Sequence, residues 1–413
     1  MAIIRPFRAL RPADGLASRV AALPYDVYNR EEARIEAAKD PLSFLNIDRP
    51  ETQFEEGHDL YAADVYRKAD RMISAETEEG VFVREDSACY YIWCLTMNGR
   101  DQTGLVALSS VDDYENGVIR RHESTRKEKE EDRFHHIDTT SCQTGPIFLA
   151  YRSHSEVSSL VEEKMTEPCL YDFTADDGIR HRVWRIDRPD RISALTKAFA
   201  GLDHTYIADG HHRAASAVSV SRKRREEHPD YTGEEEFNYF LSVLFPDNEL
   251  KIMDYNRVLK DLNGLTEEEA LKRLGEVFRI EEAGQAPCRP DKKGIIGLYL
   301  GTKWYKLTVL PELVKDDPIG ILDVEYLQRE ALEPVFGIQD PRTDPRIDFV
   351  GGIRGLEELE RRCREDCKCA FAMYPTSISE LFRVADAGLL MPPKSTWFEP
   401  KLRSGLFLHQ IER

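Results

Sequence analysis

The chain has 413 residues, of which 41% are hydrophobic and 9% aromatic, and its 75 acidic and 57 basic side chains leave a net charge of −18. That length suits two or three domains with a sizeable core, and the apolar share excludes wholesale disorder. The charge argues against a general affinity for nucleic acid, which needs a basic footprint, yet leaves room for a local basic pocket.

In chain order, MAIIRPFRALRPADG breaks at Pro6 before any secretory core can form, and no apolar run approaches the roughly 20 residues of a membrane span. The eight cysteines show no CxxC spacing, so a reducing cytoplasm without membrane attachment is the expectation. A turn is predicted at Pro24-Tyr25-Asp26, then a helix capped by Asn29 that stops before Pro41. Leu42 to Ile47 reads as a strand and residues 57 to 79 as an amphipathic helix. Asn98-Gly99 joins two strands as a hairpin. GVIRRHEST leads into KEKEEDR, a solvated helix with i,i+4 charge pairs, in which His135-His136 reads as a helix-end or surface pair.

PIFLAYRS is a predicted strand, followed by a helix near 155–165 and a hairpin around Asp176-Asp177-Gly178. Thr205-Tyr206-Ile207-Ala208 reads as a buried strand after the helix ISALTKAFAGL, with Asp209-Gly210 as a turn and Asp209 as a helix cap. The helix continues to the basic run Arg222-Lys223-Arg224-Arg225, a solvated helix end where the dipole favours cations. From about residue 264 the pattern changes to a smaller unit, with a helix near 266–278 and strands at IIGLYL and KWYKLTVL. The expected fold is α+β, mixed sheets with packed helices, divided as 1–263 and 264–413.

Three polar clusters are suited to chemistry. Asp209-Gly210-His211-His212-Arg213 stands where a strand ends and a helix begins, a place where free amides and the helix dipole attract an anion. Gly210 permits close backbone approach, the histidines and Arg213 donate to anionic oxygens, and Asp209 can hold a metal or accept a proton. Adjacent His211 and His212 diverge, which disfavours them as a joint metal pair. In Arg120-Arg121-His122-Glu123-Ser124-Thr125, His122 and Glu123 supply an acid/base pair or a metal-binding carboxylate, without the HExxH spacing of a zincin. Pro392 to Lys401 is a stiff loop offering Lys394 and Lys401 to an anion, without the glycine framework of a P-loop. RRCREDCKC, with Cys363, Cys367 and Cys369, has no matching half that would make it a zinc site, and reads as solvated or half-buried thiols on a helix.

DGHHRAASA, together with LPYDV, RHEST and MPPKSTWFEPKLRSGLF, resembles the family called domain of unknown function 1015, whose members often carry a ParB-like partition label. DGHHR is also similar to the phosphate-binding turn of the ParB/sulfiredoxin superfamily, some of whose members phosphorylate free L-serine. The resemblance implies a ParB/sulfiredoxin-like nucleotide-binding core and an ATP- or ADP-dependent kinase that uses Mg²⁺ and makes O-phosphoserine from L-serine. Asp209, Gly210, His211, His212 and Arg213 would then hold the nucleotide, with Asp209 near Mg²⁺. Lys394, Ser395 and Thr396 would add a phosphate-binding loop, so DGHHR and KSTWFEPK should meet in space. Glu123 is the first choice of proton acceptor, beside His122, with Asp26 in reserve. Arg120 or Arg121 would anchor the substrate carboxylate, and a homodimer is compatible. The rival is a nucleotide-binding regulator or a ParB-like DNA-binding protein without turnover, against which the net charge weighs.

Overall fold

The structure is a computed structural model, and it describes residues 1–412. The chain forms two compact units, one of Met1–Leu250 with Pro400–Arg413 and one of Lys251–Glu399. The division therefore falls at 250/251 instead of 263/264. Tyr255–Leu259 pairs with Ile347–Gly351 and Cys369–Ala372 in the second unit's sheet. An apolar run shows that a strand exists but not which sheet it joins. The chain's end returns to the first unit, where Leu408 bridges to Leu10 and Ser404 to Ala22.

The first unit is built on a nine-stranded mixed sheet. Its order is Ile119–Arg120, Thr205–Asp209, Ile147–Tyr151, Tyr239–Pro246, Arg100–Ser110, Tyr90–Met97, Arg180–Ile186 and Tyr171–Thr174, with Ile4–Arg5 also pairing Arg100–Ser110. Asn98 and Gly99, with φ of 53° and 76°, supply the two left-handed residues that the hairpin joining its central strands requires. Tyr90, Ile92, Leu105, Leu149, Ile207 and Phe240 pack on one face against the helices Pro189–Ala200 and His211–Glu227. On the other face Tyr91 and Trp93 meet Phe407 from the C-terminal segment. Each fully buried large apolar side chain contributes about 1.5–3 kcal/mol, which makes this doubly covered sheet the unit's main source of stability.

The helix Arg30–Ala37 starts at a capping box, in which the Asn29 side chain accepts from Glu32 N–H and Glu32 returns the bond to Asn29 N–H. The expected strand at 42–47 is instead the short helix Leu45–Asp48. Phe44, Leu45 and Ile47 are all buried there, and the Asn46 amide donates to the carbonyls of Ala37, Asp40 and Ser43. A short run of apolar residues reads alike for a buried helix and a buried strand. His136 also departs from expectation: it is 1% exposed, with Nε2 3.0 Å from the Ile47 carbonyl. The basic run is similarly less solvated than its composition suggests, since Arg224 is buried.

In the second unit six strands pair antiparallel, in the order Phe278–Gly284, Lys303–Val309, Ile295–Leu300, Cys369–Ala372, Tyr255–Leu259 and Ile347–Gly351. Val258, Trp304 and Leu359 centre its core, to which Cys367 belongs with the partly buried Cys363. Burial raises the Cys363 thiol to about 12, so these cysteines are packing residues. Both units mix helices with sheets, and the fold is α+β. Among the described residues, no helix is long and apolar enough to cross a membrane.

Candidate functional site

The strand Thr205–Asp209 lies parallel to Ile119–Arg120, with Thr205 opposite Ile119 and Tyr206 opposite Arg120. Continuing that register carries His122 and Glu123 alongside Ala208 and Asp209. Two distant segments thus leave the sheet at one place, and the carboxyl ends of parallel strands are where α/β proteins hold ligands. Against its other neighbour, Ile147–Tyr151, the strand slips register between Ile207 and Asp209, which marks a bulge and turns the chain out of the sheet.

Gly210 is the N-cap of the helix His211–Glu227, at φ 93°, and no side chain caps that helix. The helical residues therefore begin at His211, and Asp209 is the last strand residue and not the cap. Asp209 Oδ1 accepts from the Gly210 N–H at 2.8 Å and Oδ2 from Lys401 Nζ at 2.9 Å. Against the upward push of burial, Lys401 and then Arg213 hold this carboxyl well below the usual range. Arg213, 9% exposed, folds back so that a Cβ at Gly210 would stand 3.1 Å from its guanidinium. Glycine is required here both for the left-handed backbone and for that close approach. The guanidinium also donates to the Pro146 carbonyl.

His122 and His211 are 2% and 5% exposed. Their rings meet edge to face, 4.5 Å between centroids. Burial depresses the pKa of both, His122 to about 4 and His211 well below its ordinary value, His122 itself adding to the latter. Both are neutral at pH 7. Neither ring nitrogen of His122 makes a well-formed hydrogen bond, although the Ile207 carbonyl is near enough to act on the ring. His211 Nδ1 stands 3.9 Å from Glu123 Oε2, and its Nε2 faces the His122 N–H at 3.5 Å. Donor atoms of His122, Glu123 and His211 lie within 4.8 Å of one another. His212 Nε2 accepts from Arg126 N–H at 2.9 Å, which in a neutral ring leaves Nδ1–H as a donor. Burial lowers the His212 pKa too, while Asp26 pulls it the other way.

Asp26 is exposed in the same loop as Tyr25. The Tyr25 hydroxyl is raised by burial and by Asp26, and Arg133 lies 4.2 Å from the centre of its ring. Tyr25, Asp48, Arg133, Thr144, Gly145 and Arg213 surround a cavity of about 30 Å³, room for water and nothing larger. An open cleft of about 620 Å³ is lined by Leu23 and Tyr28 of that loop, with Arg19, Lys39, Asp177 and Arg403.

Of the residues singled out by sequence, the first unit gathers Asp209, Gly210, His211, His212, Arg213, His122 and Glu123, with Asp26 within electrostatic reach of His212. The metal role expected of Asp209 finds both its oxygens engaged. Arg120 Nη2 lies 2.9 Å from Nε2 of His204, the residue just before the strand that ends in Asp209. Arg121 contacts Tyr114, and its charge also lowers His211. Lys401, at the end of the Pro-rich stretch, meets Asp209. Lys394, Ser395 and Thr396 belong to the second unit. There Lys394 has φ 59° and an ammonium 5.6 Å from the Tyr255 ring centre. Ser395 Oγ donates to the Pro392 carbonyl at 2.6 Å, which spends its hydroxyl inside the loop. Tyr25, Arg133 and Gly145 were not identified from sequence, and only the turn at Pro24-Tyr25-Asp26 hinted at the first.

No curated protein matches the chain. Among solved structures it is similar to a free serine kinase in complex with AMP, at 14% identity and a TM-score of 0.35 over 73% of this chain and 91% of that one. It is also similar to SbnI with C-terminal truncation from Staphylococcus aureus, at 12% identity and a TM-score of 0.37 over 73% and 87%. A conserved hypothetical protein from Pyrococcus furiosus matches at 15% identity and a TM-score of 0.34 over 73% and 94%. The family described as protein of unknown function (DUF1015) matches residues 4–325. With most of its length covered by that match, the chain belongs to the DUF1015 family.

Proposed function

We propose that this protein is an ATP-dependent kinase acting on the hydroxyl of a small free metabolite. L-serine is the acceptor implied by the resemblance of DGHHR to the ParB/sulfiredoxin kinases. The observation that carries the reading is the uncapped helix start, buried in the first unit, with Arg213 folded over Gly210 and Lys401 pinned by Asp209. Phosphoryl transfer asks mainly for positioning and charge neutralisation, and these residues supply both.

The first-turn amides and Arg213 hold phosphate oxygens, and His212 donates through Nδ1–H. Lys401 offsets negative charge, its direction set by Asp209. Mg²⁺ bound with the nucleotide would supply further charge neutralisation; Asp209, whose oxygens are engaged by Gly210 N–H and Lys401, would not be free to hold it directly. Asp26 takes the proton of the attacking hydroxyl, because it is exposed toward His212, whereas Glu123 is turned toward two buried imidazoles. Arg121 anchors the substrate carboxylate. The cleft of about 620 Å³ has the size of a small-ligand pocket and accommodates the nucleoside. The DNA-binding alternative gains no support from the basic run, whose members are all paired with acids.

Transfer from γ-labelled ATP with Mg²⁺ to a panel of free amino acids tests the reading. The expected result is labelled O-phosphoserine, reduced about 10³-fold in Asp26→Asn, the loss typical of a general base, with ATP affinity kept. Unchanged turnover in Asp26→Asn would remove the proton role from that residue. No transfer to any acceptor would remove the kinase.

A further inference from the structure

We infer that His122, Glu123 and His211 form a binding site for a borderline transition-metal dication, with zinc as the ion that fits best. Two imidazoles and one carboxylate, all with donor atoms within 4.8 Å of one another, are the donor set used by zinc, iron(II) and manganese(II) proteins. Magnesium prefers oxygen donors and retains its waters, so this site is different from the nucleotide's Mg²⁺.

The independent observation is His122. The residue is 2% exposed, and both ring nitrogens are sealed from solvent without a well-formed hydrogen bond; the Ile207 carbonyl acts on one of them, which leaves the other's lone pair unclaimed. A buried polar group left unsatisfied costs about 1–3 kcal/mol, so such groups in a native protein call for a reason. A lone pair directed at a metal is one, and the ring's neighbours are those a metal would need. The nearest ring is His211, edge to face at 4.5 Å. Glu123 is 3.9 Å from His211 Nδ1, too long for a hydrogen bond. Donors about 2.0–2.1 Å from a shared tetrahedral ion stand about 3.4 Å apart. Closure therefore needs a movement of roughly 1 Å, within reach of Glu123, whose side chain is 42% exposed. The contact of His211 Nε2 with the His122 N–H, at 3.5 Å, is at the limit of hydrogen bonds and competes weakly.

The electrostatics agree in part. Asp209 acts on both histidines in the sense that favours a cation, while Arg121 opposes it at His211. The parallel pairing of Thr205–Asp209 with Ile119–Arg120 brings the two halves of the ligand set together from positions 88 residues apart. A metal held here would also fix the 121–126 loop against the helix start. With Glu123 as ligand, Asp26 remains the acceptor of the substrate proton. The inference does not rest on phosphoryl transfer, because its readouts are binding and spectroscopy.

The test uses the full chain, stripped with chelator and titrated with Zn²⁺ against a chromophoric competitor, and with Co²⁺ followed by visible absorption. The expected result is one equivalent of Zn²⁺ bound, and a cobalt d–d band typical of four- or five-coordinate nitrogen and oxygen ligation. Glu123→Gln, at a half-exposed position that folding tolerates, should weaken Zn²⁺ at least about 10-fold. His122→Ala and His211→Ala should abolish stoichiometric binding, and His58→Ala should leave it intact, with circular dichroism reporting the fold of each. No stoichiometric binding to the unaltered chain would overturn the inference, as would an affinity unchanged in Glu123→Gln.

Discussion

The helix His211–Glu227 carries cationic or cation-forming side chains at both ends, and its surroundings answer the two ends differently. At the C-terminal end each base has an acid: Arg222 with Glu115 at 2.6 Å, Lys223 with Asp138 at 2.7 Å, Arg224 with Asp138 at 2.9 Å and Arg225 with Asp112 at 2.8 Å. At the N-terminal end His211 and Arg213 are buried, Asp209 is shared with Lys401, and Glu123 stands 3.9 Å from His211, too far for a hydrogen bond. The paired end docks the helix on the helices Val111–Glu115 and Lys127–Thr140. The other end is the one to which we assign binding, of an anion at the amides and Arg213 and of a metal at the imidazoles. Similar residue types thus serve stability in one place and, on the proposed reading, binding in the other, and the difference lies in whether the neighbours complete them.

Three perturbations sharpen that contrast. The largest belongs to Arg224, 5% exposed and bound to Asp138 and Glu227. Arg224→Ala breaks a buried ion pair and should lower stability by about 3 kcal/mol in urea unfolding, with ATP affinity unchanged. A loss of ATP affinity in that variant would erase the distinction between the two ends.

Next is pH. Burial holds His122 at about 4 in the folded chain against an ordinary 6.5. Between these values the unfolded chain binds the proton and the folded one does not, so stability rises with pH through this window and is lost as pH falls from 6.5 toward 4. The single group should contribute about 2 kcal/mol of destabilisation between pH 7 and pH 5. Thermal melts of the metal-free chain should show this slope, and His122→Gln should flatten it. The smallest effect is that of Arg222→Ala, an exposed pair whose removal should change stability by less than about 0.5 kcal/mol.

Much of this was legible in the sequence. The strand–turn–helix at Thr205 to Glu227, the hairpin at Asn98-Gly99 and the helix cap at Asn29 are local signals, set by residues within a few positions of one another. The strand end and helix start that frame DGHHR were legible for the same reason. What could not be read depends on partners far along the chain. That Lys401 answers Asp209, that His122 and Glu123 stand beside His211, and that Tyr25 lies by Arg133 and Arg213 all follow from strand order and register. His136 was misplaced because a histidine on a charged helix reads as exposed until Ile47 is known to cover it. Residues 42–47 were misread because an apolar run without periodicity does not distinguish helix from strand.

The central claim is that the helix start at Gly210–Arg213 binds nucleotide phosphates, and calorimetric titration of the full chain with ATP and Mg²⁺ tests it most directly. The account predicts saturable binding of one equivalent, weakened about 100-fold in Arg213→Ala, as loss of a charge-assisted phosphate contact should do, and not restored by Arg213→Lys, which lacks the planar fork. Absence of ATP binding by the folded, unaltered chain, or equal affinity in Arg213→Ala, would contradict it.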